Sequence, residues 1–267
     1  MKTQIDALTE EAHIGHLGVK LHEPVEEIAM APALWMWDYL RRTRGARGFF
    51  LALSGGADSA SVAAIVASMA RLVYNRAIVE GDAETLAELR RVVGDPEFTP
   101  TKYQDIVNQM FVTCYLGTKN SSADTLDRAK RLAEGIGANH YDVTIDEVYD
   151  SIVNIFKKAT TKTPKFQSQG GTMTEDLALQ NIQARTRMVV SFFMAQLVPW
   201  TQSQKGFLLV LGTSNIAEGL RGYLTKYDCS AADINPIGGI NKSDLKMFLN
   251  WFGKEVDLPV FNEIAGA

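Results

Sequence analysis

The sequence predicts an α/β protein, a doubly wound parallel sheet with helices on both faces. Three observations predict it. Short apolar runs, among them Phe49–Leu53, Phe111–Leu116 and Phe207–Leu211, alternate with longer segments of helical spacing, which is the pattern of a parallel sheet with crossover helices. The run Phe207–Leu211 is apolar at every position, as a strand covered on both faces must be. Each of these runs leads into a polar turn (Ser54–Ser59, Gly117–Ser122 and Thr213–Glu218), and in such sheets ligands bind beyond the carboxyl ends of the strands.

The elements follow in order. Residues 1–24 hold three of the four histidines, His13, His16 and His22, without sustained periodicity. They read as a linker or N-terminal extension, and the histidine spacing does not favour a metal. Residues 25–267 read as one domain. Pro24 opens a helix to about Arg44, with Ile28, Leu34, Trp35, Tyr39 and Leu40 as its apolar face and arginines at its carboxyl end. The first strand ends in Ser54-Gly55-Gly56-Ala57-Asp58-Ser59, and an alanine-rich helix runs from about Ala60 to Val73. Asp82–Val93 is charged and helix-prone, closed by Gly94-Asp95-Pro96. After the second strand, Ala123–Ile136 carries apolar residues at helical spacing and stops at Gly137. A short strand, His140–Val143, and a helix, Ile145–Lys158, come next. Thr160–Thr174 is polar and expected to be flexible. Glu175–Trp200 reads as one long helix, and Ile216–Leu220 as a short helix after the last strand.

Composition bounds the function. The chain has 267 residues, 46% of them hydrophobic and 22% charged, which suits one large globular domain. A net charge of −4 gives no general attraction to nucleic acid or acidic membranes. No apolar run reaches the roughly 20 residues that span a bilayer, and no basic segment followed by an apolar core opens the chain. Cys114 and Cys229 lie far apart and match no metal pattern; Cys114 reads as core. A reduced, cytoplasmic protein is the expectation.

Two stretches carry chemistry. In Ser54–Ser59 the glycines let the backbone approach an anion, and the following helix start offers free N–H groups and the positive end of a dipole. No Gly-Lys-Ser/Thr follows, so this is not the Walker phosphate loop. An ordinary strand–turn–helix is the plainer alternative. The second stretch, Leu211 to Lys242, is dense in glycine and charge beside a buried strand. Taken singly, Glu218 and Lys226 would be solvated surface groups; beside a phosphate cradle they become site candidates.

Ser-Gly-Gly-Xaa-Asp-Ser is the pattern of the pyrophosphate loop of ATP pyrophosphatases. With it stand Leu179-Gln180-Asn181-Ile182-Gln183-Ala184-Arg185, Tyr223-Leu224-Thr225-Lys226-Tyr227-Asp228 and Asp233-Ile234-Asn235-Pro236. In this combination and order the chain resembles NAD synthetases, specifically the synthetase domain of the glutamine-dependent type, from about Pro24 onward. The resemblance implies ATP-dependent amidation of deamido-NAD to NAD through an adenylate, with AMP and pyrophosphate released and ammonia as the nitrogen donor. It implies that Ser54, Gly55, Gly56, Asp58 and Ser59 cradle the ATP phosphates, with Thr213 on ATP and Lys242 neutralising its phosphates. Asp58 and Glu218 would hold Mg²⁺. Asn181, Arg185, Tyr223, Leu224, Thr225, Lys226 and Asp233 would hold deamido-NAD, and Asp58 and Lys242 would be the groups closest to the chemistry.

The same resemblance implies partners and limits. A glutaminase domain or subunit that supplies ammonia is absent from this chain, and the family continues with a C-terminal segment beyond Ala267. Weak turnover by these residues alone is therefore expected, with nucleotide binding better retained. A homo-oligomer is expected, with helix 175–200 as the candidate interface because Met188, Val189, Val190, Phe192, Phe193, Met194 and Leu197 exceed a one-sided stripe. No nucleic-acid or membrane partner is expected. Other pyrophosphate-loop enzymes, such as GMP or asparagine synthetases, lack the Tyr223–Asp228 and Asp233–Pro236 patterns. A non-catalytic piece that retains the fold and nucleotide binding is the remaining alternative.

Overall fold

The computed structural model describes residues 21–267; His13, His16 and most of the 1–24 extension lie outside the described residues. Four strands, β1 (Ala46–Ala52), β2 (Phe111–Gly117), β3 (Asn139–Thr144) and β4 (Phe207–Leu211), form a parallel sheet in the order β3-β2-β1-β4. Phe49 aligns with Phe111 of β2 and Leu209 of β4. The chain works outward from β1 to β3, then returns to the other side of β1. That reversal puts the topological switch point at the carboxyl ends of β1 and β4.

Alternation along β1 divides the molecule into two cores. Phe49, Leu51 and Leu53 face the larger one, and Phe50 faces the smaller. The larger core is closed by α1 (Pro24–Arg42), α2 (Ala57–Tyr74), α3 (Ala83–Val93), α4 (Tyr103–Met110) and α5 (Ala123–Ile136). On the other face lie α6 (Asp146–Thr160) and α7 (Met173–Thr201). Met188, Ala195 and Val198 of α7 pack on Phe50, Val112, Cys114, Leu208 and Val210, while α6 buries no residue completely. After β4 come α8 (Ile216–Arg221), α9 (Lys242–Glu255) and α10 (Val260–Gly266). The last two join the larger core through Leu245, Phe248, Leu249, Phe252, Phe261 and Ile264.

Local chemistry sets the boundaries. The Asp82 side chain accepts from Thr85 N at the start of α3, and Gly94 ends that helix with φ of 74°. Thr172 and Glu175 bond reciprocally in a capping box, which starts α7 at Met173, two residues before Glu175. The 29-residue α7 runs unbroken to Thr201.

Several expectations need correction. The alanine-rich helix begins at Ala57 and continues through a π turn at Asn75–Val79. Together these 23 residues are long and apolar enough to cross a membrane by length and composition, against the sequence expectation. Helix α2 is instead the central packing element, with Ser59 to Ala70 buried throughout. Thr160–Thr174 is not loose: Lys165 N and Gln167 N donate to Glu175 and Asp176 of α7 across a 3-10 turn. Helices α4, α9 and α10 were not anticipated.

Candidate functional site

The turn after β1 is built by its own side chains. Ser54 Oγ and Ser59 Oγ lie 3.0 Å apart, and Ser59 Oγ also accepts from Ser54 N at 3.2 Å. Gly56 N donates to Ser54 Oγ at 3.3 Å. Gly55 holds φ of 76°, and a Cβ there would stand 2.1 Å from the carbonyl oxygen of Thr125 at the start of α5. Only glycine meets both demands. The loop is thereby pinned between β1 and α5, with its free N–H groups at the amino end of α2.

Asp58 lies in the first turn of α2 and is the centre of the polar cluster. Asn215 Nδ2 donates to its Oδ1 at 2.9 Å, and Lys242 Nζ lies 3.3 Å from its Oδ2. Asn215 is buried and is the N-cap of α8, its Oδ1 accepting from Glu218 N at 3.1 Å. The loops after β1 and β4 are thus tied by one amide side chain. Burial, and then the neighbouring Asp58 charge, push the Glu218 carboxyl above the usual glutamate range. Two carboxylates whose charges oppose each other, beside loops rich in N–H donors, suit a hard divalent cation shared with phosphate oxygens. Among the described residues no group of three or more acidic, histidine or cysteine side chains forms a self-sufficient metal cage.

Beside this cluster, at the carboxyl ends of β1 and β2, a cavity of about 420 Å³ opens. Ala52, Leu53, Leu116, Ala184 and Met188 give it apolar walls. Ser54, Ser121, Ser122 and Thr213 bring all three polar loops to it, and Arg187 and Asp228 add one charge of each sign. The size and lining fit a nucleoside-sized group.

The Tyr223–Asp228 segment touches that cavity only through Asp228. Asp228 organises it, accepting from Thr225 N and Ser230 N, each at 2.8 Å. Arg185 of α7 binds the same segment: Nε donates to Lys226 O and a terminal nitrogen to Thr225 Oγ1, both at 2.8 Å. Arg185 thus braces the loop. Tyr223, Leu224 and Tyr227 are exposed. Asn181 lies one turn before Arg185 on α7. Asp233 uses Oδ2 to accept from Val210 N of β4 at 2.8 Å, so one of its oxygens is committed to the sheet edge.

The sequence candidates therefore divide. Ser54, Gly55, Gly56, Asp58, Ser59, Glu218 and Lys242 cluster with Asn215, and Thr213 lies on the adjoining cavity. Arg185, Thr225 and Lys226 form a second group held by Asp228. Asn215 and Arg187 were missed. Asn215 stands where a strand–turn–helix requires an N-cap, a signal that was present. Cys114 is buried as expected, and its thiol is pushed up to about 12 by desolvation.

Residues 30–263 match the NAD synthase family. The chain belongs to the NAD synthase family. A glutamine-dependent NAD(+) synthetase of Arabidopsis thaliana is 52% identical over 248 residues, 92% of this chain and 34% of that protein. One from Drosophila melanogaster is 49% identical over 247 residues, 92% of this chain and 31% of that protein. The chain thus spans about a third of the length of these curated relatives. Among solved structures, a glutamine-dependent NAD(+) synthetase from Cytophaga hutchinsonii superposes with a TM-score of 0.74 at 29% identity, over 91% of this chain and 40% of that one. The Acinetobacter baumannii synthetase in complex with ADP shares the fold, with a TM-score of 0.64 at 17% identity over 92% of this chain and 36% of that one.

Proposed function

We propose that this NAD synthase family chain amidates deamido-NAD to NAD, with ATP cleaved to AMP and pyrophosphate. The observation that carries the reading is Asp58, fixed by Asn215 and Lys242 at the mouth of a glycine loop and opposed by Glu218. The pyridine carboxylate attacks the α-phosphorus of ATP, a P–O bond forms, and pyrophosphate leaves with the electrons of the broken P–O bond. Ammonia then adds to the acyl carbon of the adenylate; AMP leaves, and a proton is released.

In this reading the N–H groups of the Ser54–Ser59 loop that are not bonded within it, together with Lys242, receive the phosphates, and Thr213 contacts ATP. Asp58 and Glu218 would hold Mg²⁺, which when bound neutralises phosphate charge. Desolvation of the Glu218 carboxyl and its repulsion by Asp58 support that assignment. Deamido-NAD would lie against Asn181, Tyr223, Leu224, Lys226 and the free oxygen of Asp233, on the segment that Arg185 and Thr225 brace. Positioning and fixed charge supply most of the acceleration, and no general base is required for neutral ammonia. A glutaminase domain or subunit would deliver that ammonia, and a reducing cytoplasm suits the two free thiols.

The chain would work as a homo-oligomer. On α7, Val189, Phe193, Leu197 and Trp200 recur at helical spacing and are exposed, as are Ile155 and Phe156 of α6. The exposed apolar stripe along α7 supports burial against a second copy.

The direct test supplies ATP, Mg²⁺, deamido-NAD and ammonium and quantifies NAD and AMP. Equimolar products, lost in Asp58→Asn, are expected. Phosphate and ADP in place of AMP would overturn the reading.

A further inference from the structure

Arg187 follows Arg185 by two positions, about 200° around α7. It therefore points away from Thr225 and Lys226, to which Arg185 bonds, and lines the cavity at the strand ends. Its Nε donates to the carbonyl oxygen of Leu116 at 2.9 Å, which fixes the guanidinium plane against the end of β2. The other four N–H donors remain for a ligand. Asp228 lines the same cavity, but its two oxygens receive Thr225 N and Ser230 N. Burial holds the Arg187 pKa below the ordinary guanidinium range, and no carboxylate figures among the groups acting on it.

A cation taken partly out of water without a counter-ion is unfavourable unless an anion arrives with the ligand. The cavity wall of Ala52, Leu53 and Met188 suits a nucleoside, and its rim at Ser54 is the first residue of the phosphate loop. A nucleotide laid across both would carry its α-phosphate past the cavity between them. We propose that Arg187 binds the α-phosphate of the nucleotide, its fork of N–H donors taking two non-bridging oxygens.

This rests on the NAD-synthesis reading and divides the anion contacts within it. Lys242 and the glycine loop serve the phosphates that depart as pyrophosphate. Arg187 serves the phosphate that stays, so the adenylate remains bound after pyrophosphate has left.

The test measures dissociation constants of adenosine, AMP and pyrophosphate by ligand-observed NMR for the full chain, Arg187→Met and Arg187→Lys. Methionine keeps an apolar stem while removing the charge and the bond to Leu116. Arg187→Met is expected to weaken AMP roughly tenfold or more, and to leave adenosine and pyrophosphate within about twofold. Arg187→Lys, a point charge without the fork, is expected to lie between; if the methionine variant fails to fold, the lysine variant is read alone. Equal weakening of AMP and adenosine would make Arg187 a brace for β2 and overturn the inference, as would unchanged AMP affinity. If the unsubstituted chain binds AMP no better than adenosine, the nucleotide reading of the cavity falls together with this one. If it prefers AMP and Arg187→Met keeps that preference, only the role of Arg187 falls.

Discussion

Replacing Asn215 by alanine should cost about 2–3 kcal/mol of stability, and the figure follows from two bonds made by one buried side chain. Its Oδ1 caps α8 through Glu218 N at 3.1 Å, and its Nδ2 holds Asp58 Oδ1 at 2.9 Å. Loss of an asparagine cap costs about 0.5–2 kcal/mol, and loss of a hydrogen bond to a charged group about 1.5–3 kcal/mol. The combined loss should lie toward the lower half of the sum, because water can reach the half-buried Asp58. Urea unfolding of Asn215→Ala, Asp58→Ala and the double variant separates the two contributions. A coupling energy between residues 215 and 58 of about 1–2 kcal/mol is expected. Asn215→Ser, which keeps a cap acceptor but loses the reach to Asp58, should recover only the capping part. Full recovery by serine, or coupling under about 0.3 kcal/mol, would refute the claim that Asn215 joins the two loops.

Three further outcomes are expected. Gly55→Ala should lose at least about 1–2 kcal/mol from the left-handed backbone alone, before the clash with Thr125 O is counted, and Mg²⁺-ATP affinity measured by calorimetry should fall more than tenfold. Glu218→Gln should stabilise the ligand-free protein at neutral pH. The folded-state pKa of Glu218 is raised, by burial first and Asp58 second, so the native state gains protons relative to the unfolded chain and loses stability as pH climbs from near 4.5; melting curves from pH 4 to 8 should show that slope in the unsubstituted chain and not in the variant, and Mg²⁺-ATP should reverse the order. Phe193→Glu should convert an oligomer to monomer in light scattering while changing monomer stability by no more than about 0.5 kcal/mol; an unchanged mass would remove α7 from the interface.

Sequence reasoning succeeded where one physical cause dominates. Leu208–Leu211 are buried as their apolar run requires, with Phe207 exposed at the start of the strand, and Gly55 sits at a turn position that glycine alone can take. It missed α4 because an eight-residue helix running straight into β2 leaves too short a window for periodicity. The signal for α9 is present in the sequence: Leu245, Phe248, Leu249 and Phe252 recur at helical spacing behind the Asn241 cap. Motif matching also reads residue type without direction. Arg185 and Asp233 carry suitable charge, yet the structure commits much of their bonding to Lys226, Thr225 and Val210. Arg187, two positions from a recognised residue, faces the cavity, and only helix geometry shows it.

The central claim is that ATP is cleaved at its α-phosphate to activate a carboxylate. Exchange of labelled pyrophosphate into ATP, with Mg²⁺ and no ammonia, tests that claim most directly. The account predicts exchange that requires deamido-NAD and disappears in Asp58→Asn. Exchange indifferent to deamido-NAD, or cleavage of ATP to ADP with no exchange, would contradict it.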